Sequence, residues 1–174
     1  SYTASFIAAV YIDNDYEVVV ESNSQYAMDN AWADGILYQI QWANNALYMF
    51  NVDAEAQGQV NMNFRPAAVA SDPDEMLLFV VDEAQWNLHV LDIENDFEEI
   101  GTLQNLRQFT DNATMRSIEW VNSHPDGQLW VNTARHLWQI AIDTDDWTGE
   151  VVADINRFGG DDWDGIGHNG DDLV

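Results

Sequence analysis

The chain has 174 residues, and its charge is its most prominent feature: 31 Asp and Glu side chains are opposed by five arginines and no lysine, giving a formal net charge of −26. Nucleic acids and anionic membrane surfaces are excluded as partners, because both bind cationic side chains. The absence of cysteine excludes disulfides, thiolate metal sites and thiol catalysis. Repulsion among the carboxylates predicts a protein that works in salt, as in a halophilic or marine setting.

A seven-residue pattern recurs along the chain and predicts an all-β fold. Each copy is an apolar strand that ends on an acidic residue, followed by a polar turn and a second strand. The copies are Ile7 to Asp13, Leu47 to Asp53, Leu88 to Glu94 and Leu137 to Asp143. The turns predicted after them are Asn14-Asp15, Ala54 to Gly58, Asn95-Asp96 and Thr144 to Gly149. Asp, Asn and Gly favour such turns because their side chains or missing Cβ tolerate tight backbone geometry.

A further hairpin precedes each copy and closes the repeat into a ring. It lies at residues 33–38, 74–79 and 126–130, and its fourth copy is at the opposite end of the chain, in residues 164–174. The copies start 40, 41 and 49 residues apart, which matches the roughly 40 to 45 residues of a propeller blade. We therefore predict a single-domain β-propeller, residues 1–174, with about four four-stranded blades: residues 164–174 plus 1–24, 25–64, 65–115 and 116–163.

The terminal blade is predicted to be completed by both chain ends. Closure can occur within one chain or by strand exchange between neighbouring chains, and exchange would build a head-to-tail filament. The predicted interface residues are Phe6, Ile7, Val10, Leu173 and Val174.

Two segments resemble the blade repeats of secreted quinoprotein-like and YVTN-like β-propellers. They are Pro66 to Asp82 and His124 to Val131, the second continuing through Ile142 to Val152. The resemblance implies blade structure and a secreted location, and it implies no particular chemistry. Residues 102–114 are expected to form a longer loop between blades, with a helical turn as the alternative.

Calcium is the one cofactor that the sequence suggests, because hard cations bind clusters of carboxylate and carbonyl oxygens on loops. The candidate ligands are Asp161, Asp162, Asp164, Asp143 and Asp145. The four histidines share no metal-binding spacing, and we expect each of them to be structural. Asn112 begins an N-glycosylation sequon, Asn112-Ala113-Thr114, in the predicted loop.

The tryptophans divide into two predicted groups. Trp120, Trp130 and Trp138 lie in predicted strands and are expected in the core. Trp42, Trp86, Trp147 and Trp163 lie at predicted turns, where aromatic rings can form a glycan platform or a protein-binding hot spot.

The leading functional hypothesis is a non-enzymatic extracellular module, structural or protein-binding, which contacts itself or another extracellular protein. It follows from a repeat scaffold without a catalytic motif such as GxSxG. The alternatives are a secreted metal-assisted hydrolase or lyase, using carboxylates at the mouth of the channel, and a glycan-binding propeller.

Overall fold

A computed structural model describes residues 27–156 and 165–173. Twelve strands form three antiparallel four-stranded sheets within these residues, and the all-β prediction is confirmed. The strands are β1 Ala27–Ala33, β2 Ile36–Gln41, β3 Ala46–Phe50, β4 Ala56–Asn61, β5 Pro66–Asp72, β6 Leu77–Asp82, β7 Leu88–Asp92, β8 Glu98–Leu103, β9 Met115–Trp120, β10 Leu129–Thr133, β11 His136–Asp143 and β12 Thr148–Asn156.

Each sheet is a meander of four consecutive strands, which we call blade 1 (β1–β4), blade 2 (β5–β8) and blade 3 (β9–β12). The first strands of the blades lie side by side, β1 against β5 and β5 against β9. These three inner strands mark the axis around which the blades are arranged. Among the described residues no helix is long and apolar enough to cross a membrane.

The packing between blades consists of two apolar clusters, one at each blade interface. Ile40 and Leu47 of blade 1 pack with Val80 of blade 2. The opposite face of blade 2 packs on blade 3, where Phe79 stacks on Trp120 with ring centroids 4.2 Å apart. Blade 2 is therefore covered on both faces, and its inner strand β5 is buried along its whole length.

The first hairpin of blade 1 turns where the sequence predicts it, at Asp34 and Gly35. Both residues have positive φ, 48° and 73°, as the two central residues of a type I′ turn require. Glycine adopts this conformation without the steric penalty of a Cβ, and Asp tolerates it better than most residues.

In two blades the strand ends before the acidic residue that closes the repeat pattern. The repeat pattern ends at Asp53 and Glu94, but the side chains that accept backbone N–H bonds in these turns belong to Asn51 and Asp92. In blade 3 the predicted residue, Asp143, accepts the N–H of Asp145. The turn begins two residues earlier in blades 1 and 2 because β3 and β7 are shorter than β11.

The predicted turn from Ala54 to Gly58 is too long. Strand β4 already begins at Ala56, and Gly58 lies within it with φ of +141°, next to a break in register between Met49 and Phe50. A Cβ at Gly58 would meet the Met49 Cε at 3.2 Å. Glycine here permits a β-bulge rather than a turn.

The loop predicted between blades 2 and 3 contains one short helical turn. Residues Leu106–Phe109 form a 3₁₀ helix, and Leu106 is fully buried. The predicted fourth blade falls mainly outside the described residues, as do Phe6, Ile7, Val10 and Val174. Of the predicted interface residues the structure describes Leu173, which forms an isolated bridge with His168.

Candidate functional site

The inner strands of all three blades converge on one buried side chain, Asp29 of β1. Its Oδ2 accepts the backbone N–H groups of Val69 in β5, at 3.0 Å, and Ile118 in β9, at 3.5 Å. Its Oδ1 accepts the N–H of Asn30 at 3.1 Å. A single carboxyl group thus links the inner strands of three blades.

Two carboxyl groups at this axis have strongly altered acidity. Burial raises the pKa of Asp29 to about 8, in opposition to its backbone hydrogen bonds, and nearby Glu119 raises it further. Burial also raises the pKa of Glu119 to about 7. Asp29 therefore carries its proton at neutral pH, which avoids an uncompensated negative charge in the core.

Residues 165–173 contact blade 3 next to this axis. Nε2 of His168 lies 3.5 Å from Oε1 of Glu119, and burial, followed by the neighbouring His124, lowers the pKa of His168. His124 and Ser123 contact the backbone carbonyls of Asp171 and Gly170 at 2.7 and 2.9 Å. The sequence did not predict that His124 and His168 approach each other, because they lie 44 residues apart and share no local motif.

A second feature is the face of blade 1 that points away from blade 2, which we call the outward face of blade 1. Trp32, Leu37 and Phe50 lie in register across β1, β2 and β3 on this face. Trp32 is 47% exposed, and Met28 on the same strand is 49% exposed. Large apolar side chains with this exposure mark surfaces that bind proteins when they are contiguous. The sequence reading did not single out Trp32, although alternation along β1 places it opposite the packed Ala31 and Ala33.

Blade 3 exposes apolar groups at the other end of the array. Ile155 of β12 lies in register with Leu137, on the face that points away from blade 2, which we call the outward face of blade 3. Ile155 is exposed, as are Val151 and Val152 on the same strand.

The predicted calcium ligands fall in two places. Asp143 and Asp145 lie in the β11–β12 turn, where the Asp143 carboxylate accepts the Asp145 N–H at 2.9 Å. Within residues 27–156 and 165–173 no three His, Asp or Glu side chains form a metal-binding group. Asp161, Asp162 and Asp164 lie outside the described residues, so calcium binding stays a prediction.

Asn112 is exposed in the loop between blades 2 and 3, and its backbone carbonyl accepts hydrogen bonds from Arg107. The location fits the predicted sequon, and its glycosylation stays a prediction.

The tryptophans predicted in the core are buried: Trp120, Trp130 and Trp138. The turn tryptophans are packed rather than displayed as a platform. Arg65 lies over the Trp42 ring at 4.2 Å, and Arg107 lies over the Trp86 ring at 5.2 Å. Trp86 and Trp147 also contact the core between blades 2 and 3. Trp163 lies outside the described residues.

The other two histidines contact carboxylates. His89 lies between Asp82 and Glu99, with nitrogen to oxygen distances of 3.5 and 3.1 Å, and stacks on Phe64. His136 Nδ1 lies 2.5 Å from Oδ1 of Asp154.

No protein-family model matches the sequence, and no curated protein matches it. Several solved structures are similar to it. The chain is similar to the β-propeller domain of Cps50 (Swd1) from Myceliophteria thermophila, at 9% identity and a TM-score of 0.51 over 76% of this chain and 40% of that chain. The chain is a β-propeller.

Two further solved structures share this propeller fold. One is the hydrazine synthase of Kuenenia stuttgartiensis, with 18% identity and a TM-score of 0.53 over 79% of this chain and 38% of that chain. The other is a chain of a mitotic checkpoint complex, with 14% identity and a TM-score of 0.54 over 82% of this chain and 43% of that chain. This propeller chain spans 38 to 43% of the length of the three matched chains. At these identities the similarity shows the fold alone.

Proposed function

We propose that this propeller is a non-enzymatic extracellular protein-interaction module that assembles head to tail, with the outward face of blade 1 in one copy against the outward face of blade 3 in the next. The observation that carries the proposal is the exposure of Trp32, which lies on the inner strand at one end of the apolar row that continues through Leu37 and Phe50.

The choice of a second copy as the partner follows from the repeat. Blade 1 packs on blade 2, and blade 2 packs on blade 3, through successive faces in one direction. The outward faces of blades 1 and 3 are the two ends of the array of three described blades. A contact between them would repeat the geometry of the two blade interfaces, and it would be heterologous, so that further copies can add.

The proposal that the protein is not an enzyme rests on the surroundings of the two carboxyl groups at the axis. Raised pKa values are typical of acid–base catalysts, but Asp29 is 8% exposed and its two oxygens accept backbone N–H groups from three strands. These contacts favour a structural role. The proposal of an extracellular location rests on the acidic, cysteine-free composition. The similarity to a chain of a mitotic checkpoint complex agrees with a protein partner for this fold.

Sedimentation velocity over a range of protein concentrations in molar sodium chloride tests the assembly, because salt screens the net charge of −26. We expect the wild-type chain to associate as its concentration rises. Trp32→Gln is expected to weaken association by about 30-fold or more, since a buried tryptophan at an interface commonly contributes about 2 kcal/mol. Val52→Gln is the matched control, because Val52 is an exposed apolar residue in the β3–β4 turn and outside both outward faces.

A mixing experiment tests the head-to-tail geometry. Trp32→Gln leaves the outward face of blade 3 intact, and Ile155→Gln leaves the outward face of blade 1 intact. An equimolar mixture should therefore form dimers and nothing larger, while each variant alone stays largely monomeric. A monomeric wild type at every concentration, or equal association of Trp32→Gln and Val52→Gln, would overturn the proposal.

A further inference from the structure

The segment of residues 165–173, which lies against blade 3, contains the one Asn-Gly pair in the sequence, Asn169-Gly170. Both residues are exposed. An asparagine followed by glycine can react within the chain, because the amide nitrogen of the glycine can attack the side-chain carbonyl carbon and close a five-membered succinimide ring. Glycine hinders this attack least, since it has no Cβ beside its nitrogen.

A base contacts the nitrogen that would attack. The N–H of Gly170 donates to Nδ1 of His168 at 3.0 Å. Because Nδ1 accepts this hydrogen bond it carries no proton, and the neutral ring has its proton on Nε2, which lies 3.5 Å from Oε1 of Glu119. Burial, followed by the neighbouring His124, lowers the pKa of His168, so the ring is neutral at pH 7. His168 is therefore placed to accept the Gly170 amide proton as a general base.

Two donors contact the carbonyl oxygen of the group that would be attacked. Oδ1 of Asn169 accepts the backbone N–H groups of Asp171 and Asp172, at 3.1 and 2.9 Å. Negative charge develops on this oxygen when its carbon becomes tetrahedral, and fixed N–H groups stabilise that charge, as they do in an oxyanion hole. Residues 168–172 thus bring together a nucleophile, its base and two oxyanion donors.

We propose that Asn169 is a self-modification site, at which His168 promotes the conversion of asparagine to aspartate and isoaspartate. The Gly170 nitrogen forms a bond to Cγ of Asn169 and gives its proton to Nδ1 of His168. The bond between Cγ and Nδ2 of Asn169 then breaks, and the proton leaves with Nδ2 as ammonia. Water hydrolyses the succinimide at either of its carbonyl carbons, which yields aspartate or isoaspartate. The conversion needs no oxidant and no cofactor.

The modification changes the contacts of the segment with blade 3. Either product adds a negative charge to a segment that is already acidic. Isoaspartate also lengthens the main chain by one carbon atom, between the bridged residues His168 and Leu173. We therefore expect isoaspartate to weaken the hydrogen bonds that Ser123 and His124 make to the backbone of this segment.

Incubation of the full chain in molar salt at neutral pH, followed by peptide mapping with mass spectrometry, measures the conversion rate at Asn169. Replacement of the side-chain NH₂ by OH raises the peptide mass, and water enriched in oxygen-18 labels the product. We expect the folded chain to react about 10-fold faster or more than the same chain in concentrated urea, because a positioned general base commonly contributes about 100-fold or more.

The dependence of the rate on pH is a second readout. In the folded chain the rate should level off as pH rises above 6.5, the ordinary pKa of histidine, because burial holds the pKa of His168 below that value. In urea the rate should keep rising with pH, since hydroxide then removes the amide proton. A folded chain that reacts no faster than the chain in urea, or whose rate rises with pH in the same way, would overturn the inference.

His168→Asn separates the base from the hydrogen bond. Its side-chain oxygen can accept the Gly170 N–H in the place of Nδ1, but it is a far weaker base. We expect this variant to slow the conversion at Asn169 by about 10-fold or more. His136→Asn is the matched control, because His136 contacts Asp154 on blade 3 and should leave the rate unchanged. Equal rates in His168→Asn and the wild type would show that His168 does not act as the base.

Discussion

Blade 2 and blade 1 are built from the same four-stranded meander but differ in how many of their faces are covered. Blade 2 packs on both sides, and all seven residues of β5 are buried. Blade 1 packs on one side, and its inner strand alternates between packed residues such as Ala33 and exposed ones such as Trp32. A blade that is covered on both faces therefore buries its whole inner strand, whereas a blade that is covered on one face alternates buried and exposed residues along it.

This difference is visible in composition once the structure is known. Strand β6 of blade 2 reads Leu-Leu-Phe-Val-Val-Asp, the continuous apolar run of a strand that is covered on two faces. The equivalent strand β2 of blade 1 reads Ile-Leu-Tyr-Gln-Ile-Gln, in which the residues that pack on blade 2, Ile36, Tyr38 and Ile40, alternate with residues that do not.

The largest expected effect tests this comparison directly. Phe79→Ala in blade 2 removes a fully buried ring from the stack with Trp120 and should lower the free energy of unfolding by about 3 to 5 kcal/mol. Trp32→Gln in blade 1 should change it by no more than about 0.5 kcal/mol, because the ring is half exposed. Urea denaturation in molar salt measures both. Similar losses in the two variants would mean that the outward face of blade 1 is covered in the monomer.

The carboxyl group of Asp29 links blades 1 and 2 as well as blade 3, and the stability of the protein should therefore depend on pH. The folded-state pKa of Asp29, about 8, lies above its ordinary value of 3.8. The folded protein therefore holds a proton that the unfolded chain has released between these values. Stability should fall as pH rises from about 4 to 8, with a contribution from Asp29 of up to about 1.4 kcal/mol per pH unit.

Asp29→Asn removes this titration. The difference in stability between wild type and Asp29→Asn should thus shrink as pH rises through the window, in urea midpoints measured at constant salt. Asp126→Asn, at an exposed aspartate in the β9–β10 connection, is the matched control. A wild-type advantage over Asp29→Asn that stays constant from pH 5 to 8 would contradict a raised pKa at the axis.

The smallest expected effect concerns the turns. Asp92→Ala removes the acceptor for two backbone N–H groups, of Glu94 and Asn95, and should cost about 1 kcal/mol. Glu94→Ala, at the residue that ends the repeat pattern in sequence, should stay within about 0.5 kcal/mol. Thermal unfolding of the two variants measures both losses, and a larger loss for Glu94→Ala would contradict the stabilising role of the Asp92 hydrogen bonds.

The sequence predicted the features of the fold that depend on local patterns. Alternation and turn chemistry located the second-strand hairpins and the Asp34-Gly35 turn, and the periodic recurrence of Leu47, Leu88 and Leu137 predicted repeated blades. Gly58 was misread as a turn because a glycine in a bulge and one in a turn satisfy the same backbone requirement.

The candidate sites depend on contacts between distant segments, and the sequence did not reveal them. Asp29 is one of 31 acidic residues, and nothing in its neighbours distinguishes a buried carboxyl from a solvated one. Likewise, His124 and His168 lie 44 residues apart, and they approach each other only when residues 165–173 pack against blade 3. Residue type limits the chemistry, while three-dimensional packing selects the residues that perform it.

The axial carboxyl also has a consequence for the order of folding. Each blade is a meander of neighbouring strands, whose contacts are local and form quickly. The hydrogen bonds of Asp29 instead span 40 residues to Val69 and 89 residues to Ile118. Because closing such long loops is entropically unfavourable until the strands at both ends are in place, the axis should be completed last. Completion of the axis should therefore coincide with the packing of the two apolar clusters that join the three blades.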